Sequence, residues 1–131
     1  MEDRPKILPP TLRMKERYIV FEIISEKPIE YSELTRAVWF SASTFLGELK
    51  LSEIGLKFIK DLYNPETQQG VIRCTHDAVE YVRGALIMIK NIGDLNAIVR
   101  VMGVTGTIDA AKRKYLGFKT LESFEGEKDG L

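Results

Sequence analysis

The segment that most constrains the fold is the apolar run Tyr18–Ile24 (YIVFEII). Its β-branched and aromatic residues predict a strand over Arg17–Ile24, because such side chains fit the pleated surface of a sheet. Side chains alternate between the two faces of a strand, so Ile19, Phe21 and Ile23 share one face. We predict that this strand is central in its sheet.

A basic, proline-containing arm precedes this strand. The prolines of Met1–Leu12 exclude a helix start there, which predicts an extended arm. Arg13, Lys15 and Arg17 alternate, so in an extended chain they lie on one side, roughly 6–7 Å apart. That spacing suits successive phosphates of a nucleic acid, but alternating charge also protects ordinary edge strands from aggregation. The residues alone leave both interpretations open.

The rest of the chain alternates helical and extended patterns. In chain order we predict a helix over Ile29–Leu46, a strand over Leu56–Tyr63, a strand over Val71–Thr75, a helix from Asp77 to Gly93 with Glu80 in a capping box, a strand over Ala97–Met102, a tight turn over Gly103–Thr107 and a helix over Ile108–Leu116. Glu48–Gly55 is ambiguous and could form a short extra turn. This order predicts the α+β class, as a ferredoxin-like or RRM-like α-β sandwich, β-α-β-β-α-β plus a C-terminal helix, on an antiparallel four-stranded sheet. Its first and third strands would be adjacent at the centre.

The predicted domain organisation has three parts. Residues 1–12 form the arm, residues 13–116 form a single α/β domain, and residues 117–131 form an acidic tail. A chain of 131 residues with 44% hydrophobic residues is sufficient for one domain with a real core.

Composition and motifs exclude several classes of protein. Nineteen basic and nineteen acidic residues give no net charge, so any nucleic-acid contact must come from local patches. Cys74 and His76 are single residues of their types, which leaves little material for a zinc site or a catalytic triad. Phosphate-loop, HExxH and GxSxG motifs are missing, and we expect no catalytic residue and no metal site in this chain. The charged N-terminus and the short apolar runs indicate a cytoplasmic protein without a membrane segment.

Two features near the C-terminus could bind anions. Gly103–Thr107 precedes a helix start, where free backbone N–H groups favour a phosphate, and Lys112-Arg113-Lys114 adds a positive cluster. The simpler interpretation is that Thr107 is only an N-cap and that the basic run is a solvated face. The residues alone favour the simpler interpretation.

The sheet face opposite the two longer helices is predicted to be partly apolar. It would combine apolar and charged side chains: Tyr18, Val20, Ile98 and Met102 with Glu22, Arg73 and Arg100. The third strand offers no aromatic residue, so the base-stacking signature of RNA-recognition domains is absent. Either the last helix, through Ile108, Ala111 and Tyr115, or another chain would cover this face. Trp39, beside the apolar stripe of the first helix, is as consistent with a partner contact as with the core.

Three motifs in a fixed order carry a family resemblance. They are Leu8–Arg13 followed by Arg17-Tyr18, Gly70–Cys74, and Gly103–Ile108. Together they resemble archaeal ribonuclease P protein component 2, whose eukaryotic counterpart is a subunit of nuclear ribonuclease P and of RNase MRP. The resemblance covers Leu8–Leu116 and leaves the acidic tail outside.

The resemblance implies a noncatalytic subunit of the ribonucleoprotein that removes the 5′ leader of precursor tRNA. The catalyst would be the RNA with bound Mg²⁺, and this chain would bind no cofactor. Its partners would be ribonuclease P RNA and a TIM-barrel-like protein component 3; self-association is possible in the complex, and precursor tRNA would be contacted mostly indirectly. The residues that would contact RNA are Arg13, Lys15, Arg17, Arg73, Thr105, Gly106, Thr107, Lys112, Arg113 and Lys114.

Two alternatives share the fold. A ferredoxin-like regulatory domain that binds a small ligand would explain the zero net charge and the Gly-Thr-rich turn, but not the basic arm. An acylphosphatase-like enzyme would need an arginine-bearing phosphate loop after the first strand, where Ser25–Pro28 stands instead.

Overall fold

A computed structural model describes residues 15–117 of the chain. Its elements are β1 Glu16–Ser25, α1 Tyr31–Leu46, α2 Glu48–Glu53, β2 Lys57–Phe58, β3 Gln69–Thr75, α3 Val79–Ile87, β4 Asn91–Ile92, β5 Leu95–Thr105 and α4 Ile108–Lys114. Single turns of 3₁₀ helix occupy Lys60–Leu62 and His76–Ala78. The predicted arm Met1–Leu12, Arg13 and all of the predicted tail except Gly117 lie outside the described residues.

The sheet is antiparallel, with five strands in the order β2-β3-β1-β5-β4. β1 lies at the centre between β3 and β5, which confirms the expected central strand and its neighbour. The predicted count of four strands is wrong because α3 ends at Ile87, before the expected Gly93. Gly93 has φ +62° and instead begins the tight turn between Ile92 and Leu95, which pair across the ladder. The chain around it therefore forms β4 and a hairpin rather than another helical turn.

The predicted strand Leu56–Tyr63 is reduced to the two residues of β2. The Ile59 N–H still donates to the Val71 carbonyl at 3.1 Å, but the chain then coils so that Leu62 N–H donates to the Ile59 carbonyl at 3.0 Å. This 3₁₀ turn buries Leu62 on the sheet face opposite α1 and α3. The ambiguous segment before β2 forms α2.

β5 is longer than predicted, and α4 is shorter. Gly103 pairs with Val20 inside the ladder, so the predicted turn over Gly103–Thr107 begins only after Thr105. The ladder carries a bulge between Val20 and Phe21. A side chain at Gly103 would overlap the ring of Tyr115, so this glycine allows α4 to approach the sheet. The helix ends at Lys114 rather than at Leu116.

The main core lies between the sheet and the pair α1 and α3. It is built from the alternating face predicted for β1 together with β3, β5 and the helix stripes, including Phe21, Ile72, Val99, Leu34 and Val82. The predicted capping box at Asp77 is not formed, because His76–Ala78 is a 3₁₀ turn and α3 begins at Val79. The Asp77 carboxylate instead accepts a hydrogen bond from the Thr75 hydroxyl at 2.9 Å.

A second, smaller core lies under α4 on the opposite face. It contains Val20, Val71, Leu62 and Ala111, with Tyr115 packed against them. Of the two alternatives predicted for this face, cover by the last helix is found around Val20 and Val71. Within residues 15–117, no helix combines the length and the apolar character needed to cross a bilayer.

Candidate nucleic-acid interface

We call the sheet face opposite α1 and α3 the α4 face, and its end near Thr75 and Thr105 the upper end. One row of residues crosses four strands at this upper end. In the ladders Lys57 stands opposite Arg73, Arg73 opposite Tyr18, and Tyr18 opposite Thr105. Residues directly opposite in antiparallel strands project from the same face. We call Lys57, Arg73, Tyr18 and Thr105 the cross-sheet row. It combines two cations at the β2 edge with a half-buried tyrosine beside α4.

Arg73 is the best-defined cation of this row. Its Nε lies 3.5 Å from Glu16 Oε2, and the side chain is 30% exposed. That Nε is buried, and no group among residues 15–117 accepts a hydrogen bond from it. The remaining guanidinium N–H groups give a fork that matches phosphate geometry.

Lys57 is the residue that sequence reasoning missed. It is exposed and stands directly opposite Arg73, and opposed like charges destabilise a sheet unless an anion lies near them. The sequence placed Lys57 in the strand predicted to pair with Val71–Thr75, but it did not give the register of that pair, so the neighbour of Lys57 was unknown. The two cations together are suited to an anion at this edge.

The hydroxyl groups of Thr105 and Thr107 make hydrogen bonds within the chain. Thr105 is buried and its hydroxyl donates to the Thr107 carbonyl at 2.9 Å, while Thr107 Oγ1 accepts from the Ala110 N–H at 3.1 Å. Thr107 is thus the N-cap that the sequence predicted. Space beside Gly106 is open, since a side chain there would meet no atom within 4 Å. A phosphate at this turn stays a prediction.

The basic run forms the last turn of α4. Arg113 and Lys114 are exposed and Lys112 is half-buried. Cations at this end of a helix also interact favourably with the helix dipole, so their position alone does not require a ligand.

Of the alternating basic residues, the structure describes Lys15, just before β1, and Arg17, within β1. The Lys15 carbonyl accepts from the His76 N–H at 2.7 Å, which extends the β1–β3 pairing by one bond beyond Glu16. Arg17 shares its face with Ile19, towards α1 and α3, and its guanidinium donates to the Glu16 carbonyl at 2.9 Å. The structure therefore separates Arg17 from Arg73 and Thr105, which the sequence had grouped as one set.

The lower half of the α4 face, around the pairs Glu22–Arg100 and Ile24–Ile98, has a neutralised ion pair and exposed apolar side chains. Arg100 Nη2 pairs with Glu22 Oε1 at 2.8 Å, and Ile24 and Ile98 stand opposite one another in the next row, both more than half exposed. Arg100 is thus neutralised by a strand neighbour, whereas the contact of Arg73 to Glu16 is longer, at 3.5 Å.

Cys74 is not placed as a nucleophile. It is buried in the main core, and burial, followed by the nearby charge of Asp77, raises the pKa of its thiol to about 11. His76 Nδ1 lies 3.4 Å from the Lys15 carbonyl, a contact within the fold. Among residues 15–117, no group of three or more His, Cys, Asp or Glu side chains is arranged to hold a metal ion.

Comparisons with known proteins identify relatives over nearly the whole chain. A model of the Rpp14/Pop5 family matches residues 17–116. The chain is 41% identical over 116 residues to ribonuclease P protein component 2 of Thermococcus kodakarensis, covering 88% of this chain and 95% of the relative. The protein of the same name in Pyrococcus furiosus is 42% identical with the same coverage. The Methanosarcina barkeri protein of that name is 39% identical over 111 residues, covering 85% of this chain and 79% of the relative.

A solved structure shares the fold. A chain in the cryo-EM structure of yeast ribonuclease MRP aligns with a TM-score of 0.56 at 12% identity, covering 91% of this chain and 98% of that chain. None of these relatives is named as a small-ligand regulatory domain, so that alternative gains no support.

Proposed function

Because this chain belongs to the Rpp14/Pop5 family, we propose that it is a protein subunit of ribonuclease P, the ribonucleoprotein that removes the 5′ leader of precursor tRNA. The observation that carries the proposal is a 41% identity that spans 88% of this chain and 95% of a relative named as that component. Such coverage leaves no large part of the relative unmatched.

The chain would act by positioning folded RNA and neutralising its charge. The RNA would supply the catalytic chemistry with its own Mg²⁺, and no side chain of this protein would make or break a bond. Its partners would be ribonuclease P RNA and the TIM-barrel-like component 3, with precursor tRNA contacted mostly through the RNA. The RNA contacts we propose are those predicted from the sequence, with Lys57 added beside Arg73.

Local charge, rather than net charge, supports this assignment. The charges of nineteen basic and nineteen acidic residues cancel over the chain. At the upper end of the α4 face, however, Lys57 and Arg73 lie in the same cross-strand row as Thr105, which precedes the turn that starts α4. Phosphate contacts of this kind release counterions and are independent of sequence. They would fix the orientation of the protein on the RNA.

The decisive experiment is reconstitution. Cleavage of precursor tRNA by the cognate RNA and component 3 is measured with and without this chain, at several Mg²⁺ concentrations. We expect cleavage at low Mg²⁺ to depend on the chain, because phosphate neutralisation by protein reduces the need for the ion. Cleavage that is indifferent to the chain at every Mg²⁺ concentration would overturn the proposal.

The basic run of α4 offers a second test. Replacing Lys112, Arg113 and Lys114 by alanine should weaken assembly with the RNA and reduce the slope of log K against log salt by about two to three. Replacing Lys27 and Lys90, both exposed and distant from α4 in the chain, is the control. An unchanged affinity and slope in the triple variant would remove α4 from the RNA interface.

A further inference from the structure

Exposed isoleucines stand together on the lower half of the α4 face. Ile24 and Ile98 are opposite one another in the β1–β5 ladder and line one cavity of about 700 Å³ with Ile87. Each of the three is more than half exposed. α4 packs against Val20 and Val71, nearer the upper end. Residues 15–117 therefore leave this apolar cavity open.

The end of α4 brings the chain to the same half of the face. Leu116 packs with the small core under α4 and lines a pocket with Gln69, the first residue of β3. Gln69 stands opposite Glu22 in β1, and Ile24 is two residues further along that strand. Gly117, the last described residue, follows Leu116 directly. The chain thus leaves α4 close to the open cavity.

The distance from this exit to the isoleucines is short. Strands about 4.8 Å apart and residues about 3.4 Å apart along a strand put Ile24 and Ile98 roughly 8–12 Å from Gln69. The next seven residues, Phe118–Phe124, lie outside the described part of the chain. Seven residues span about 10 Å as a helix and up to about 23 Å when extended. The segment is therefore long enough to reach the cavity.

The sequence of this segment, FKTLESF, has apolar residues at a regular spacing. Phe118, Leu121 and Phe124 recur at every third position, and the residues between them are polar. Residues three apart lie on one side of a helix, so this spacing favours an amphipathic segment. Two phenyl rings and a leucine match a cavity that isoleucines line.

From these observations we propose that the segment Phe118–Phe124 docks on the lower half of the α4 face of its own chain, with Leu121 and Phe124 against Ile24 and Ile98. The segment would extend the cover that α4 begins. It would leave the cross-sheet row at the upper end free, so the proposed RNA contacts and the docked segment would not overlap. The inference does not depend on the proposed function.

Size favours a tethered segment over a separate protein as the occupant. A stable interface between two proteins buries roughly 1,200 Å² or more and uses about 20–30 residues on each side. Nine residues line this cavity. A segment of the same chain begins beside the surface and loses little translational freedom when it docks, so a small apolar contact is sufficient.

A tryptophan placed in the segment can test the proposal. The chain contains one tryptophan, so Phe124→Trp combined with Trp39→Phe leaves a single tryptophan, at position 124. We call this full-length variant the reporter chain. Its emission spectrum and its quenching by acrylamide are measured without RNA and compared with those of a peptide of residues 118–131 that carries the same Phe124→Trp change. We expect emission at shorter wavelength and weaker quenching in the reporter chain, because docking removes the indole from water.

Further substitutions in the reporter chain locate the contact. Ile98→Asp should return emission and quenching to the values of the peptide, because an apolar segment does not pack on a charged group. Leu121→Asp should have the same effect from the side of the segment. Leu49→Asp, at an exposed position of α2, is the matched control and should change neither signal, since α2 packs on the main core through Leu51. Denaturant unfolding of each variant checks that the fold is retained.

Three results would overturn the proposal. Emission and quenching in the reporter chain equal to those of the peptide would mean that the segment does not dock. A buried signal that persists in Ile98→Asp would place the segment elsewhere on the protein. A blue shift that disappears on dilution would assign the contact to a second copy of the chain, because docking within one chain is independent of concentration. None of these measurements requires RNA, so their outcome is separate from that of the reconstitution.

Discussion

The two faces of the sheet differ in how completely they are covered. On one face α1 and α3 bury a continuous core that includes Phe21, Ile72 and Val99. On the other face the seven-residue α4 covers only Val20, Val71 and their neighbours. The cations of the cross-sheet row lie beside α4 on this face, and the Glu22–Arg100 pair lies further down the strands.

The difference teaches that the face under α1 and α3 holds the larger core, and it leaves the other face as the one on which we propose contacts with RNA. A side chain buried under two long helices cannot also meet a macromolecule. Arg73 and Lys57, by contrast, stand at an edge that α4 does not cover. The predictions that follow are ordered by the size of the free-energy change expected on each face.

The largest effect is expected in the main core. Phe21→Ala should lower the free energy of unfolding by about 3–5 kcal/mol, because Phe21 is 1% exposed and its loss leaves a cavity under α1 and α3. Val71→Ala, under α4, removes fewer atoms from a smaller cluster and should cost about 1–2 kcal/mol. Denaturant unfolding of both variants measures the contrast. Equal losses would mean that the two faces contribute alike.

The next effect is a pH dependence from the main core. Burial raises the pKa of Cys74 from 9.0 to about 11, so the folded state favours the neutral thiol. This contribution is fully present below pH 9 and is lost as the pH rises from 9 through 11, up to about 2–3 kcal/mol. Unfolding of the wild type and of Cys74→Ala is compared from pH 8 to 11. Parallel pH profiles for the two proteins would contradict the prediction.

A smaller effect is expected where α4 meets the sheet. Gly103→Ala places a methyl group in the space of the Tyr115 ring and should cost about 1–2 kcal/mol. In a Tyr115→Ala background that overlap is gone, so the same substitution should be nearly neutral. A double-mutant cycle on unfolding free energies gives the coupling. A cost at Gly103 that does not depend on Tyr115 would mean that the ring does not set the distance of α4 from the sheet.

The smallest effect on stability, with a specific effect on RNA, is expected at the cross-sheet row. Arg73→Gln should change the unfolding free energy by less than about 1 kcal/mol, because its ion pair with Glu16 is long and partly exposed. It should weaken binding to ribonuclease P RNA about three- to tenfold and lower the salt slope by about one. Arg100→Gln, on the same face but paired with Glu22 at 2.8 Å, is the matched control for RNA affinity. Equal losses of affinity in both variants would remove the special role of Arg73.

Much of this architecture could be predicted from periodicity. The alternation of Ile19, Phe21 and Ile23 located the core face of β1, and its centrality followed. Thr107 was identified as an N-cap because its hydroxyl precedes a helical pattern by one residue. The core face of β1 and the N-cap depend on residues close together in the chain, so local rules suffice for these two features.

The errors arose where distant residues decide the outcome. Glycine is a common turn residue, but Gly103 lies in β5. A glycine is needed there because the ring of Tyr115, twelve positions later, occupies the space that a side chain at position 103 would fill. Gly93 was predicted to end a helix and instead turns a hairpin, since β5 supplied a partner for Ile92. Neither partner is visible from the neighbourhood of the glycine.

The sequence by itself determined the order of most elements, the core stripe of each and, apart from Lys57, the cations that we propose contact RNA. Only the tertiary structure decided which of those cations stand together. Register placed Lys57 opposite Arg73 and Arg17 on the other face, because pairing is set by hydrogen bonds between strands far apart in the chain. A one-residue change in the register of any one of these strands would have moved its own side chains to the opposite face.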